Sequence, residues 1–295
     1  MKSLPFYIVD VFAEEKYAGN QLAVVRHAKT LDGDEMQKIA KEMHYSETTF
    51  ILSDEKRSGG YDVRIFSPEN ELPFAGHPTL GTAYVIRHEI AKAPVNKVML
   101  NLKVGQIPVT FARSGKDGEV LWMKQIQPTF GQSFDVMAIS KVLGLDVGAA
   151  DNKFPVQEVS TGVPFIIVAL KNLAALKRAR ILRDKYFELI ENAEAKAILI
   201  FCPETYSKEN DLSVRVFADC YGIPEDPATG SANGCLAGYL IKHHYFGKKR
   251  IDIRVEQGYE IGRPSLLLLK AEQKEGGIDV RVGGKVVMIA KGELV

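Results

Sequence analysis

Apolar and polar residues alternate along the first ninety positions in the manner of a mixed α/β unit. Short alternating or continuous apolar runs predict strands near residues 6–12, 21–25, 48–52 and 61–66. An apolar period of 3.6 residues through Met36, Ile39, Ala40 and Met43 predicts an amphipathic helix, with Asp32 or Asp34 as its N-cap. A loop rich in proline and glycine follows, and then a helix predicted over about residues 78–88.

The second half of the chain repeats that order of elements. Strands are predicted near residues 157–160 and 165–170, and a helix within residues 178–195. Strands near residues 197–201 and 213–217 lead to another loop rich in proline and glycine. The last element of the second half is a helix predicted over about residues 229–243.

Residue matches support the repeat. The segment VRIF at 63–66 resembles VRVF at 214–217, an offset of 151 positions, and YVIRH at 84–88 resembles YLIKH at 239–243, an offset of 155 positions. An offset near half the chain length indicates a duplicated domain rather than a solenoid repeat. We therefore expect halves at 1–116 and 117–283, with a late strand near 286–290 returning residues 284–295 to the first half. The alternative is that common folds reuse similar segments.

Composition narrows the class of protein. With 46% hydrophobic and 25% charged residues, the 295-residue chain has the composition of a soluble globular protein. A formal net charge of +1 gives no broad field to attract nucleic acid or an anionic membrane. The first residues do not have the pattern of a signal peptide, so the expected location is the cytoplasm. Three cysteines without CxxC spacing predict neither a disulfide framework nor a zinc site.

The two loops that precede the matched helices have a composition suited to anion binding. They read PFAGHPT at 73–79 and PEDPATGS at 224–231. Glycine at a helix start leaves amide N–H groups accessible, and these groups together with the helix dipole favour an anion. If the halves are related by pseudo-twofold symmetry, both loops face one cleft and bind a small carboxylate there. The alternative for each loop taken alone is ordinary helix capping.

Three side chains are candidates for chemistry. Glu47 lies where a helix has ended and a strand begins, and in a water-poor cleft its carboxylate could carry a proton to and from carbon. His77 lies at the start of the first matched helix and can donate a hydrogen bond or a proton. Asp226 could orient His77 or bind a substrate amine or hydroxyl. The alternatives are a solvated glutamate, a capping histidine and a turn aspartate.

Five blocks in chain order resemble one known family. They are GNQLAV at 19–24, SET at 46–48, FAGHPT at 74–79, TGVPF at 161–165 and EDPATGSA at 225–232. Together these blocks resemble the PhzF-like phenazine-biosynthesis family over nearly the whole chain. The resemblance implies a diaminopimelate-epimerase-like α/β fold, with two pseudo-symmetric halves that each wrap a mostly antiparallel sheet around a central helix, and an active site between them.

The resemblance also implies roles for individual residues. Glu47 would be the acid/base residue, and His77, Asp226 and Ser231 would shape the site and assist proton delivery. Further substrate contacts would come from Gly76, Gly230, Ser231, Asn20, Thr161 and Gly162. It implies an isomerase that acts on a small carboxylate without metal or cofactor, and that forms a homodimer.

Related two-base racemases place a cysteine at each helix start, and this chain has Gly76-His77 and Gly230-Ser231 there. Cys235 lies about one helical turn farther along. This difference favours a hydrogen shift by one base, Glu47, over epimerisation, in which His77 would be the second base. A ligand-binding or partner-binding protein without turnover is the third hypothesis. Asn233, where many members have histidine, and the segment Ala218-Asp219-Cys220, without a frequent proline, leave the substrate open.

Overall fold

The computed structural model describes residues 3–91, 94–114 and 118–295. Contacts between Cα atoms divide the chain into two compact units. Unit 1 comprises Met1–Met123 and Gly283–Val295, and unit 2 comprises Lys124–Val282. The predicted boundary at residues 116 and 117 lies outside the described residues. Within the described ranges, every helix is too short or too polar to cross a membrane.

The secondary structure is that of a mixed α/β protein. The strands are β1 (Leu4–Val11), β2 (Asn20–Arg26), β3 (Thr48–Ile51), β4 (Tyr61–Phe66), β5 (Glu71–Leu72), β6 (Lys97–Leu102), β7 (Gly105–Ser114), β8 (Gly118–Lys124), β9 (Thr129–Phe134), β10 (Val156–Ser160), β11 (Pro164–Ala169), β12 (Ala197–Cys202), β13 (Leu212–Ala218), β14 (Ile223–Asp226), β15 (Arg250–Gln257), β16 (Ser265–Lys274), β17 (Gly277–Gly284) and β18 (Val286–Leu294). The α-helices are α1 (Gly33–Met43), α2 (Gly76–Val85), α3 (Val136–Val142), α4 (Leu173–Arg178), α5 (Arg183–Ile190) and α6 (Gly230–Lys242).

In unit 1 the strands pair in a fixed succession. Strand β1 is antiparallel to both β18 and β2, and β2 is parallel to β3. Strand β3 is antiparallel to β4, which pairs with the short β5 and, in parallel, with β6. Strands β6, β7 and β8 continue as antiparallel hairpins. Helix α1 lies between β2 and β3 in the chain, and α2 follows β5.

Unit 2 has the same succession of pairings. Strand β10 is antiparallel to β11, β11 is parallel to β12, and β12 is antiparallel to β13. Strand β13 then pairs with the short β14 and, in parallel, with β15, which is antiparallel to β16. Helices α4 and α5 occupy the chain position of α1, and α6 occupies that of α2. The predicted mixed α/β fold and its repeated order of elements are confirmed.

Helix α2 is the central helix of unit 1. It packs against β1, β2, β3, β6, β7 and β18, and its residues are buried except for Tyr84. A helix that is buried on all sides belongs inside a core rather than on its surface. Gly81 permits the close packing, because a Cβ atom there would lie 2.5 Å from Cδ2 of Leu22 and 2.9 Å from Cγ2 of Val11. The sheet therefore wraps around this helix.

Helix α6 has the equivalent place in unit 2. It packs against β10, β11, β15 and β16, and it is buried from Gly230 to Ile241 apart from Ser231. Gly238 permits close packing as Gly81 does in unit 1, because a Cβ atom there would lie 2.7 Å from Cγ of Pro128. The third turn of α6 is consequently packed closely against Pro128.

One predicted helix boundary is wrong in detail, and two other helix predictions agree with the structure. The helix expected over 78–88 begins at Gly76 and changes at Ile86 into a π-helical turn, Ile86–Ala91, so His77 lies in its first turn. The helix predicted within 178–195 is confirmed as α5, Arg183–Ile190, and it is preceded by the unpredicted α4, which ends where the backbone of Ala179 leaves helical geometry. Asp32, not Asp34, is the N-cap of α1, where it forms a capping box with Glu35.

Candidate active site

The strand register of unit 1 brings Glu47 to the start of α2. Helix α1 ends at Met43, and the left-handed backbone of its C-cap, His44 (φ 55°), turns the chain toward β3. The Thr49 hydroxyl oxygen of β3 lies 2.7 Å from that of Thr82 on α2, so this side of the strand faces the central helix. Glu47 precedes Thr49 by two positions and therefore points to the same side. Its Oε2 atom lies 3.4 Å from Nε2 of His77.

His77 is held as a neutral ring. Its side chain is 7% exposed, and burial lowers its pKa to about 3, against the opposing effect of a hydrogen bond with the Gln21 backbone. An imidazole with this pKa does not carry a positive charge near neutral pH. The side chain of Glu47 is 15% exposed, so the carboxylate is largely shielded from water yet not sealed. The neutral ring therefore lies beside the Glu47 carboxylate without pairing it with a positive charge.

Asn20 begins β2, beside the same region of unit 1. It is buried and lies opposite Val11 in the β1–β2 pairing. Strands β2 and β3 are parallel, with Ala23 opposite Thr48, so the residues that precede these two positions meet at one edge. Gly19 allows the turn into β2, because its φ is +68° and a Cβ atom there would lie 2.4 Å from the Val11 carbonyl oxygen.

The start of α2 offers backbone donors. Its N-cap is Ala75, which has no side-chain acceptor to satisfy the first amide groups. Gly76 and His77 are the first two helical residues, and both are buried. The N–H groups of a first turn carry the positive end of the helix dipole and bind anions. This end of α2 lies next to Glu47 through the contact with His77.

The start of α6 in unit 2 combines backbone donors with a carboxylate. Thr229 is the N-cap, but its hydroxyl donates to Oδ2 of Asp226 instead of capping the helix. Ser231 is partly exposed, whereas Gly230 and Asp226 are buried. The predicted residues Asp226, Gly230 and Ser231 are thus brought together within one helical turn and the loop before it.

Thr161 and Gly162 reach the same end of α6. The Thr161 hydroxyl oxygen lies 3.4 Å from the Ser231 carbonyl oxygen, to which it donates, and 3.5 Å from Sγ of Cys235. Gly162 has φ +120°, a conformation that favours glycine. The turn between β10 and β11 therefore brings Thr161 against the first residues of the central helix of unit 2.

Cys235 does not have the properties of a base. It is completely buried, and burial raises the pKa of its thiol to about 12. A thiol with this pKa stays protonated at neutral pH and is a poor proton acceptor. Among the described residues, no group of three or more His, Cys, Asp or Glu side chains is arranged to hold a metal ion.

Sequence reasoning missed two participants. Gln21 bonds to His77 through its backbone, for which side-chain identity gives no signal. Thr229 donates a hydrogen bond to the Asp226 carboxylate. The spacing of three residues between them was an available signal, because local hydrogen bonds of Asp and Thr side chains are common at helix starts.

Solved structures match the fold over the full chain. A phenazine biosynthesis protein of the PhzF family from Bacillus anthracis superposes with a TM-score of 0.92 at 26% identity, covering 100% of both chains. A probable proline racemase from Agrobacterium radiobacter has a TM-score of 0.59 at 11% identity, covering 99% of this chain and 93% of its own, and shows likeness of fold. The fold class is that of this group of isomerases and racemases.

Sequence comparison specifies the family. The family model described as phenazine biosynthesis-like protein matches residues 9–292. The trans-2,3-dihydro-3-hydroxyanthranilate isomerase of Pseudomonas aeruginosa is 35% identical over 296 residues, covering 97% of this chain and 98% of that protein. The chain belongs to the phenazine biosynthesis-like family, and it is an isomerase.

Proposed function

We propose that this isomerase moves a hydrogen atom within a small carboxylate-bearing metabolite, with Glu47 as the single acid/base residue. The observation that carries the proposal is the 3.4 Å contact between Glu47 Oε2 and Nε2 of the buried His77. A neutral imidazole gives the carboxylate no permanent cationic partner, so the carboxylate remains a competent base.

The proposed reaction has two proton transfers. In the first, Glu47 removes a proton from a carbon next to a carboxylate or conjugated system, so that a C–H bond breaks and a carboxyl O–H bond forms. The electron pair left on the substrate is delocalised. In the second, the Glu47 carboxyl returns its proton to another carbon on the same face. The sum is an isomerisation, and it consumes no oxidant, reductant, metal or cofactor.

The helix starts would stabilise the charge that develops in this reaction. Backbone N–H groups of Gly76 and His77 at α2 would bind the anionic end of the substrate, and those of Gly230 and Ser231 at α6 would bind an anionic group in the same manner. Asn20, Thr161 and Gly162 would complete the substrate contacts. Asp226 would bind a polar group of the substrate or assist proton delivery, with Ser231 beside it.

Two observations weigh against epimerisation by two bases. A second base must receive or supply a proton on the opposite face, and a histidine with a pKa of about 3 is a weak base that is not protonated at neutral pH. Cys235 is buried, with the pKa of its thiol raised to about 12. A binding protein without turnover would have no need of a shielded proton carrier such as Glu47.

A named relative supplies the first compound to test. The Pseudomonas aeruginosa relative is named for trans-2,3-dihydro-3-hydroxyanthranilate, a cyclic dienyl carboxylate, and this compound is the first to test. We also propose a cytoplasmic homodimer, for which the mass in solution by light scattering is the direct test. A mass of one chain, 32.7 kDa, would contradict the dimer.

The decisive experiment compares Glu47→Gln with Glu42→Gln, an exposed position on α1. Each protein is incubated in D₂O with trans-2,3-dihydro-3-hydroxyanthranilate and with related small acids, and deuterium incorporation is followed by mass spectrometry. We expect the wild type and Glu42→Gln to exchange and Glu47→Gln to lose exchange by at least about a thousandfold while keeping its circular dichroism spectrum. Exchange at the wild-type rate in a folded Glu47→Gln protein would refute the assigned base.

A further inference from the structure

We propose that Gln257 and Asn233 are positioning residues that fix the direction of the Asp226 carboxylate through the Thr229 hydroxyl. The inference rests on the proposed role of Asp226 in the site. Gln257 and Asn233 are 1% and 0% exposed; the sequence did not single out Gln257, and it marked Asn233 only as a departure from the histidine of many family members.

Gln257 ends β15 and uses both halves of its amide. Its Oε1 accepts from the Asn233 Nδ2 group at 2.8 Å and from the Thr229 backbone N–H at 3.2 Å. Its Nε2 donates to the Asp226 carbonyl oxygen at 2.7 Å and to the Thr229 hydroxyl oxygen at 3.0 Å. Because two donors face Oε1 and two acceptors face Nε2, the amide has one satisfactory orientation.

That orientation determines the direction of the Thr229 hydroxyl. The hydroxyl oxygen accepts from Gln257, so its single proton is left to donate elsewhere. It donates to Oδ2 of Asp226. The carboxylate of Asp226 is held on one side by this charge-assisted hydrogen bond, which leaves its remaining lone pairs for other donors.

Asn233 fixes the other end of the network. Its Nδ2 group donates to Oε1 of Gln257 and to the Thr229 carbonyl oxygen at 3.0 Å, one helical turn back. The same side chain therefore binds the N-cap of α6 and the residue that orients the N-cap hydroxyl. An apolar residue in its place would leave a buried acceptor on Gln257 with one donor fewer.

The backbone after Gln257 is shaped for this contact. Gly258 has φ +81°, and a Cβ atom there would lie 2.6 Å from the Pro227 carbonyl oxygen and 2.3 Å from that of Arg263. Glycine thus allows the end of β15 to press against the loop that carries Asp226. The loop between Asp226 and Thr229 is therefore held by side-chain hydrogen bonds and by close packing against the backbone at Gly258.

Comparison with the equivalent loop of unit 1 supports a role beyond holding a helix start. There Thr79 donates its hydroxyl proton to the N-cap carbonyl of Ala75 at 2.7 Å, as Asn233 does for Thr229. That loop, LPFAG at 72–76, contains no carboxylate, and its N-cap has no hydroxyl. The additional hydrogen bonds through Gln257 and the Thr229 hydroxyl occur in the unit where a carboxylate precedes the helix.

The test uses a graded set of variants at Thr229 and Gln257, the two residues that donate hydrogen bonds to Asp226 in this network. Thr229→Val preserves the shape of the side chain and removes the hydroxyl, Thr229→Ser keeps the hydroxyl, and Gln257→Leu removes the amide. Crystal structures should show the Asp226 carboxylate rotated in Thr229→Val and Gln257→Leu and unchanged in Thr229→Ser. If Gln257→Leu does not fold, Thr229→Val carries the test alone. An unmoved carboxylate in Thr229→Val would overturn the inference.

A double-mutant cycle with Asp226→Asn separates positioning from general stability. On trans-2,3-dihydro-3-hydroxyanthranilate, Thr229→Val should lower kcat by about tenfold or more with KM changed less than about threefold, and Thr229→Ser should restore most of kcat. In the Asp226→Asn background, Thr229→Val should have no further effect. If the losses of kcat in Thr229→Val and Asp226→Asn instead multiply in the double variant, the two residues act independently and the positioning role is contradicted. Full kcat in Asp226→Asn beside an inactive Glu47→Gln would reject this inference and leave the proposed base in place.

Discussion

The Glu47 carboxylate lies 3.4 Å from the imidazole of His77, and the two residues are thirty positions apart in the chain. The ring lies in the first turn of a helix that is buried on all sides, which explains why its pKa falls to about 3. A charged imidazole would form a conventional ion pair and weaken the carboxylate as a base. The burial of α2 therefore has a chemical consequence for Glu47.

The depressed pKa of His77 predicts a pH dependence of stability. The ordinary pKa of 6.5 applies to the unfolded chain, and the folded value is about 3, so the unfolded chain binds an additional proton between these values. The contribution of neutral His77 is complete above pH 6.5 and is lost as the pH falls below it. Between pH 8 and pH 5 the loss from this group is roughly 2 kcal/mol, at about 1.4 kcal/mol per pH unit.

The measurement is urea unfolding at pH 8 and pH 5 for the wild type, His77→Asn and His244→Asn. His244 is exposed, and its substitution is the control for the loss of a histidine. The wild type and the control should lose more free energy of unfolding on acidification than His77→Asn does. Equal losses in all three proteins would mean that His77 is not the group responsible.

A second prediction concerns the reactivity of Cys235. Burial raises the pKa of its thiol to about 12, so at pH 8 roughly one thiol in ten thousand is ionised, and the thiolate is the form that reacts. Iodoacetamide should alkylate partly exposed Cys220 in the native protein and leave Cys235 unmodified, as mapped by peptide mass spectrometry. Cys235→Ala should keep kcat within about threefold, because the proposed reaction gives the thiol no part in proton transfer. Loss of exchange in a folded Cys235→Ala protein would revive the two-base mechanism.

The fold was predictable where side-chain burial alternates or is continuous. Strand β4 carries such a pattern, and the sequence prediction of a strand at 61–66 agrees with its bounds. Strand β9 was missed because most of its residues are exposed and only Phe130 and Phe134 give it an apolar side. Strand β5 has two residues, too few for any period to develop. Helix α4 was missed because its six residues depend on an Asn172 cap more than on a repeated apolar face.

The sequence marked the loops that carry the candidate site but not the side chains that support them. Glycine and histidine before an apolar run marked the start of α2, and the DPATGS segment marked that of α6. The contact between Glu47 and His77 depends on the β2–β3 register, which no local pattern specifies. Gln257 is a polar residue at the end of a strand, 31 positions after Asp226, and its importance comes from pairing that only the folded chain defines.

A third prediction follows from an ion pair repeated in both units. Arg64 binds both carboxylate oxygens of Glu71 at 2.8 Å, joining β4 to the short strand before α2, and lowers the pKa of Glu71 to about 2. Arg215 binds Glu225 in the same bidentate manner, at 2.9 and 2.7 Å, before α6. The side chains of the first pair are 29% and 16% exposed, and those of the second are 8% and 11% exposed.

Lysine in place of Arg64 and of Arg215 should show that the two ion pairs contribute differently to stability. Arg215 also donates to the carbonyl oxygens of Leu176 and Ala179, at 2.9 and 2.7 Å, which a lysine cannot satisfy together with Glu225. We expect Arg215→Lys to lower the free energy of unfolding by about 3 kcal/mol, the range for a broken buried pair, and Arg64→Lys by about 1 kcal/mol. Chemical denaturation of both variants measures the difference, and equal losses would contradict the assignment.

The packing of the central helix gives the last prediction. Alanine in place of glycine favours a helix by about 1 kcal/mol when nothing obstructs the methyl group. At Gly81 the methyl group would lie 2.5 Å from Leu22 Cδ2 and 3.1 Å from Val9 Cγ2, so neighbouring side chains must leave their positions. Overpacking of this kind costs about 1–3 kcal/mol, which outweighs the propensity gain. Gly81→Ala should therefore lower the melting temperature by several degrees. Gly148→Ala, where a Cβ atom meets nothing within 4 Å, should leave it unchanged or raise it slightly, and a rise for Gly81→Ala would show that the sheet does not close tightly on α2.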